Sequence, residues 1–208
     1  MDIRLSGIVL AGGRSIRMGR NKAGLPFGGT SLISWMVNRI APICREVFVV
    51  AQNAADYRGC GATVIGDRWP GAGPLGGLAT GLESVVTSHA AVVACDLPFV
   101  EATLLAGLAG RAESRCDAVV PTVGGSAQPL CAIYARGAGQ TAAALMQRGE
   151  RSLHGLLATP ELRVCYVAED TLRVWDPALR SFENINTPED YERAKAHLAE
   201  SAPDARRH

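Results

Sequence analysis

The sequence predicts an α/β domain built on one doubly wound, mostly parallel sheet. Two observations predict it, and a third places its working edge. Short runs rich in Val, Ile and Ala recur at 7–10, 46–52, 62–65, 90–95 and 118–121. Their near-continuous hydrophobicity is that of strands covered on both faces, not of strands with one wet face. Helical spacing of apolar residues fills several of the intervals, and strand–helix alternation produces parallel crossovers of a single hand. In such a sheet the loops after the strands collect on one rim. That rim receives the Gly12-Gly13 turn and Asp96.

The first strand, Gly7-Ile8-Val9-Leu10, stops at paired glycines, which let the backbone turn sharply and bring its N–H groups near an anion. A helix is predicted over 31–41. Ser31 is its polar cap, Leu32, Trp35, Met36 and Ile40 form its apolar stripe, and Arg39 is the exception on that stripe. Helices over 75–88 and 103–113 are diluted with glycine. Beyond Pro121 the regularity weakens, with a strand at 128–135, a helix at 138–147 and a strand at 162–168. A terminal helix over 188–200 has Thr187 as cap and Pro188 at its first position. The polar tail 201–208 is expected to be disordered. No repeat or linker divides the chain, so one domain is expected over 1–200.

Composition narrows the function. At 208 residues with a formal net charge of +1, the chain lacks the strong basic balance of a general nucleic-acid binder. Its cations are grouped locally, which favours a small anionic ligand. Six cysteines, at 44, 60, 95, 116, 131 and 165, show no C-x-x-C pair and no zinc-like spacing. All six are expected to be reduced and structural, as in a cytosol. The N-terminal apolar run is too short and too interrupted for a signal peptide or membrane span, so a cytoplasmic protein is expected.

The chemistry concentrates in three segments. In Leu10-Ala11-Gly12-Gly13-Arg14-Ser15-Ile16-Arg17-Met18-Gly19-Arg20-Asn21-Lys22, a strand and glycine turn lead to three spaced cations, Arg14, Arg17 and Lys22. This describes a triphosphate cradle more closely than a solvated basic face. Cys95-Asp96-Leu97-Pro98-Phe99 ends a buried strand in a carboxylate that could hold Mg²⁺ against phosphate oxygens. In Phe182-Glu183-Asn184-Ile185-Asn186-Thr187-Pro188-Glu189-Asp190, an extended Asn-x-Asn would point both amides to one face. Helix capping explains Thr187 to Asp190 without requiring either asparagine.

Other candidates are weaker. Asn53 and Asp67 end the second and third strands, where turn formation is the simpler role. Gly71-Ala72-Gly73-Pro74-Leu75-Gly76 spells G-x-G-x-x-G, with Asp96 twenty residues on. Arg68-Trp69-Pro70 separate it from its strand, however, and Pro74 sits at the helix start, against a dinucleotide site. His89, His154 and His197 have no ligand spacing, Arg148–Ser152 reads as an exposed helix-end turn, and no Gly-x-Ser-x-Gly occurs.

The three segments, in this order, resemble the motifs of the molybdenum cofactor guanylyltransferases, a branch of the sugar-nucleotide-type nucleotidyltransferases. The likeness spans residues 5 to about 195. The first loop is not a Walker A loop, and Asn21 stands where many relatives carry Asp. The resemblance implies a Rossmann-like nucleotidyltransferase fold, with nucleotide handled by about 5–100 and the pterin by about 101–195. It implies transfer of GMP from GTP to molybdopterin, giving molybdopterin guanine dinucleotide and pyrophosphate. Leu10, Ala11, Gly12, Gly13, Arg14, Lys22, Asn53, Asp67 and Asp96 would bind GTP. Lys22, Asp96 and Arg17 would be catalytic, Asp96 would hold Mg²⁺, and Asn184 and Asn186 would lie on the pterin side. Cofactor-delivery or acceptor molybdoenzymes would be partners, and neither nucleic acid nor membrane would be. Transfer of CMP to the same pterin, a sugar-1-phosphate nucleotidyltransferase, and a nucleotide-regulated delivery protein without turnover are the alternatives.

Overall fold

The computed structural model describes residues 5–11, 22–112 and 115–201. Strand β1 (Leu5–Leu10) is followed by a hairpin of β2 (Pro26–Phe27) and β3 (Thr30–Ser31), then α1 (Leu32–Ile40). Next come β4 (Cys44–Ala51), β5 (Thr63–Gly66), α2 (Gly73–Ser84), β6 (His89–Ala94) and α3 (Ala102–Ala112). The second half runs β7 (Ala118–Val123), β8 (Ser126–Ala127), β9 (Cys131–Ala135), α4 (Ala138–Gln147) and α5 (Leu153–Ala158). It ends with β10 (Val164–Val167), α6 (Glu169–Trp175) and α7 (Pro188–Ser201).

The sheet is mixed but mostly parallel, in the order β10-β7-β9-β6-β1-β4-β5, with β8 paired to β7. At its centre β1 runs parallel to both neighbours, Ile8 lying opposite Phe48 on one side and Val92 on the other. All six β1 residues are buried, and their side chains alternate between the two layers of core. Leu5 and Val9 join α1, α3 and α6 on one face. Ile8 and Leu10 join α2, α4 and α5 on the other. This is the doubly wound arrangement that the continuous apolar runs predict.

The glycines of α2 have a steric purpose. A Cβ on Gly81 would stand 2.7 Å from Ile8 Cγ2, and one on Gly77 would stand 3.3 Å from Leu10 Cδ2. Helix α2 can therefore lie directly on the central strand. It ends at Ser84, four residues short of the predicted end, because Val85 turns extended and buries its side chain.

Several features depart from expectation. Strand β9 is antiparallel to both β6 and β7. Gly124 and Gly125, both at positive φ, turn β7 back into β8, and so short a return has no room for a crossover helix. Gly28 and Gly29, also at positive φ, close the β2–β3 hairpin. Helices α5 and α6 lie in stretches where the sequence predicts no element. The cysteine reading needs correction for one pair, since Cys116 and Cys165 form a disulfide with a Cα separation of 5.7 Å. Parallel pairing of β7 with β10 brings them together across 49 residues, a proximity that no sequence spacing displays. Cys44, Cys60, Cys95 and Cys131 are free. Burial pushes the thiols of Cys44, Cys95 and Cys131 up to about 12, which keeps them unreactive.

A third, smaller core cluster joins Phe27, Leu32, Ile185 and Ala194. It docks α7 and the segment before it onto the hairpin and α1, and the Tyr191 hydroxyl donates to the Pro26 carbonyl. Among the described residues no helix is long and apolar enough to cross a membrane.

Candidate active site

The site begins where β1 and β6 end together. Beyond the strand registers, the Cys95 N–H donates to the Leu10 carbonyl at 3.1 Å, and the Ala11 N–H to the Val50 carbonyl at 2.9 Å. Asp96 is the next residue on the β6 side and so stands on the predicted rim. The segment after it is held by α1. Trp35 Nε1 donates to the Pro98 carbonyl at 2.7 Å, Arg39 Nε donates to the Val100 carbonyl at 2.9 Å, and Arg39 pairs with Glu101 at 2.7 Å. The charge that interrupts the apolar stripe of α1 thus fixes the loop carrying Asp96.

Lys22 opens a short 3-10 turn, 22–24. Its ammonium lies 3.1 Å from Asp96 Oδ2 and 3.4 Å from Asn186 Oδ1. Three residues predicted independently from three segments therefore meet, at sequence separations of 74 and 164. The backbone closes the same junction, since the Ile185 N–H donates to the Asp96 carbonyl at 2.9 Å. Ile185 itself is buried in the third core cluster, which anchors the asparagines on either side of it.

Helix capping orients Asn186. The Thr187 hydroxyl accepts from the Asp190 N–H at 3.1 Å, while Asp190 Oδ2 accepts from the N–H groups of Asn186 and Thr187, both at 2.9 Å. These amides hold the Asp190 carboxyl below the usual carboxylate range. Aspartate at the third helical position here plays the part of the glutamate in a capping box. The predicted cap and the Asn-x-Asn motif are one structure. The two asparagines have different neighbours, however. Asn184 lines a cavity of about 370 Å³ beneath α7, beside Phe99 and Arg193, whereas Asn186 reaches Lys22.

A narrower cleft lies at the ends of β1, β4 and β5. It is lined by Leu10, Gln52, Asp67 and the start of α2 at Gly73 and Pro74. Helix α2 has no side-chain cap, and its second residue, Pro74, carries no N–H. Asp67 Oδ1 accepts from the Trp69 N–H and the Thr80 hydroxyl. Asn53 caps the 54–57 turn through the Ala55 N–H and donates to Asp56. Gln52 lines the cleft, as its neighbour Asn53 does not, and its place after a buried strand was the available signal. Gly12, Gly13, Arg14 and Arg17 lie outside the described residues.

A lysine and a carboxylate thus meet where the central strand β1 and its parallel neighbour β6 end. Residues 7–163 match the MobA-like NTP transferase domain. The chain belongs to this family. It is 34% identical to the molybdenum cofactor guanylyltransferase of Desulfosudis oleivorans, over 92% of this chain and 95% of that one. It is 35% identical to the probable molybdenum cofactor guanylyltransferase of Chloroflexus aggregans, over 95% and 97%. The crystal structure of molybdopterin-guanine dinucleotide biosynthesis protein A from Archaeoglobus fulgidus superposes with a TM-score of 0.82 at 29% identity, covering 94% of this chain and 100% of that one. The MobA-like chain is accordingly a nucleotidyltransferase.

Proposed function

We propose that this chain transfers GMP from GTP to the terminal phosphate of molybdopterin, releasing pyrophosphate and forming the guanine dinucleotide of the cofactor. The observation that carries this reading is the meeting of Lys22, Asp96 and Asn186 at the β1–β6 rim, in a chain whose relatives bear the guanylyltransferase name. The nucleotide lies across the first half of the domain, about 5–100, with its base toward the cleft between Leu10, Gln52 and the start of α2. Asp67 lines that cleft, and Asn53 stands on the turn next to Gln52 at its border. The pterin lies against the second half, about 101–195, near Asn184 and Asn186.

The attacking group is a phosphate oxygen that is already anionic, so no side chain need remove a proton. Catalysis is alignment and charge neutralisation. The Lys22 ammonium, with Arg14 and Arg17, faces the β,γ-phosphates, where negative charge grows as pyrophosphate leaves. The Ala11 N–H is held by the Val50 carbonyl, so the backbone donors for nucleotide at this strand end would come from Gly12 and Gly13, with Leu10 and Ala11 forming the floor beneath them.

Enzymes of this family generally use a divalent metal, and we take Mg²⁺ as the ion here. Among the described residues no three His, Cys, Asp or Glu side chains gather as a metal cage. One carboxylate, Asp96, at a phosphate-binding rim fits an ion that takes most of its oxygens from phosphate and water. Bound there, Mg²⁺ would polarise the α-phosphate. The reaction belongs in the cytoplasm, and the product passes to delivery or acceptor molybdoenzymes.

Competition among GTP, CTP and ATP for molybdopterin, read by mass analysis of the pterin product, tests the assignment. The guanine dinucleotide is the expected product. A cytosine dinucleotide as the main product would reassign the base pocket and leave only the phosphate and metal roles standing.

A further inference from the structure

Lys22 makes a contact that phosphate binding does not require. Its ammonium lies on Asp96 Oδ2 at 3.1 Å, with the two side chains only 14% and 24% exposed, so water and salt screen the pair less than they would at an open surface. Asn186 Oδ1 accepts a second bond from the same ammonium. That asparagine is tied to the rim on both sides, through the Ile185 N–H on the Asp96 carbonyl and through the Asp190 carboxylate on its own N–H. The acceptor that steadies the lysine is thus anchored to the residue the lysine pairs with.

This arrangement rests on the transferase reading, and it deepens that reading. We infer that Asn186 is a positioning residue acting through Lys22. Without nucleotide it holds the ammonium in the cation place on Asp96, and a divalent cation reaches the carboxylate only when nucleotide phosphates draw the lysine away. The reason is charge. A magnesium-sized ion would sit about 2.0–2.1 Å from a carboxylate oxygen, within a few ångströms of an ammonium that already occupies that oxygen. Like charges that close repel strongly in a partly buried site. Triphosphate oxygens offer Lys22 more negative charge than one carboxylate does, so nucleotide binding both removes the obstacle and supplies the remaining metal ligands.

The test uses Mn²⁺ as probe on the full chain, with free ion followed by electron paramagnetic resonance. Without nucleotide, Lys22→Met should bind Mn²⁺ at least about tenfold more tightly than wild type, the scale set by removing one close like charge. Asn186→Ala should move the affinity in the same direction by a smaller factor, and with saturating GTP present Asn186→Ala should match wild type. Equal Mn²⁺ affinity in wild type and Lys22→Met without nucleotide would overturn the inference. An unchanged value in folded Asn186→Ala would overturn the role of Asn186, since a residue that only touches the pterin would leave it unmoved. If Lys22→Met does not fold, the Asn186→Ala comparison decides. Failure of the underlying reading looks different. Mn²⁺ binding with GTP would then be indifferent to Asp96→Asn, whatever Lys22 does.

Discussion

At the scale of single residues, each of the two charges at the rim can be tested alone. Lys22 faces charge that grows in the transition state, so Lys22→Ala should lower turnover by about 10² or more, the scale of losing one preorganised electrostatic contact. The fold should persist, because a loop cation carries little core energy. Near-wild-type turnover in the folded variant would remove Lys22 from the mechanism. Asp96→Asn keeps the shape and the backbone carbonyl that receives Ile185, but it loses the charge. Activity should collapse, with at best partial recovery in excess Mg²⁺. An unfolded variant with unchanged metal dependence would instead make Asp96 a structural cap. Neither carboxylate nor ammonium was hard to nominate, because Asp96 ends an apolar run and Lys22 is one of three cations spaced after a glycine pair. Their pairing across 74 residues was not visible.

Among the elements, α2 and β10 make the clearest forecasts. For Gly81→Ala, two effects compete. Alanine improves helix propensity by about 1 kcal/mol over glycine. Its methyl would meet Ile8, a fully buried side chain with no room to yield, and overpacking of that kind costs about 1–3 kcal/mol. The clash should win, lowering the melting temperature by a few degrees. A stabilised variant would mean that α2 stands further from β1 than described. Strand β10 is a four-residue edge strand fastened by Cys116–Cys165. Closing a 49-residue loop stabilises by about 4 kcal/mol in the chain-entropy model. Treatment with dithiothreitol should therefore lower the melting temperature and expose two further thiols beyond the four free cysteines. An unchanged melting curve with all six thiols titrating beforehand would show the pair unjoined. Strand existence was readable here and strand direction was not. The apolar run of β9 reads the same both ways, and only the glycine pair at 124–125 carried the turn.

For the whole molecule, the nucleotide should bind as one ligand to a surface drawn from several strand ends in the first half of the chain. GTP with Mg²⁺ at a hundred times its dissociation constant should add about 2.7 kcal/mol of stability, or roughly 5–10 °C in melting temperature for a chain of this size. CTP and ATP at the same concentration should add much less, since each buried polar group left unpaired by a wrong base costs about 1–3 kcal/mol. Equal shifts for all three would place the selectivity elsewhere. By itself the sequence determined the alternating α/β order, the buried central strand, the capped last helix and the residue types of the rim. These follow from local periodicity and turn chemistry, which act over a few residues. Only the tertiary structure decided that Lys22, Asp96 and Asn186 touch, that Asn184 faces a different cavity, that β9 runs backward, and that Cys116 meets Cys165. Such neighbours are set by how strands are ordered and cores are filled, and chain spacing carries no record of either.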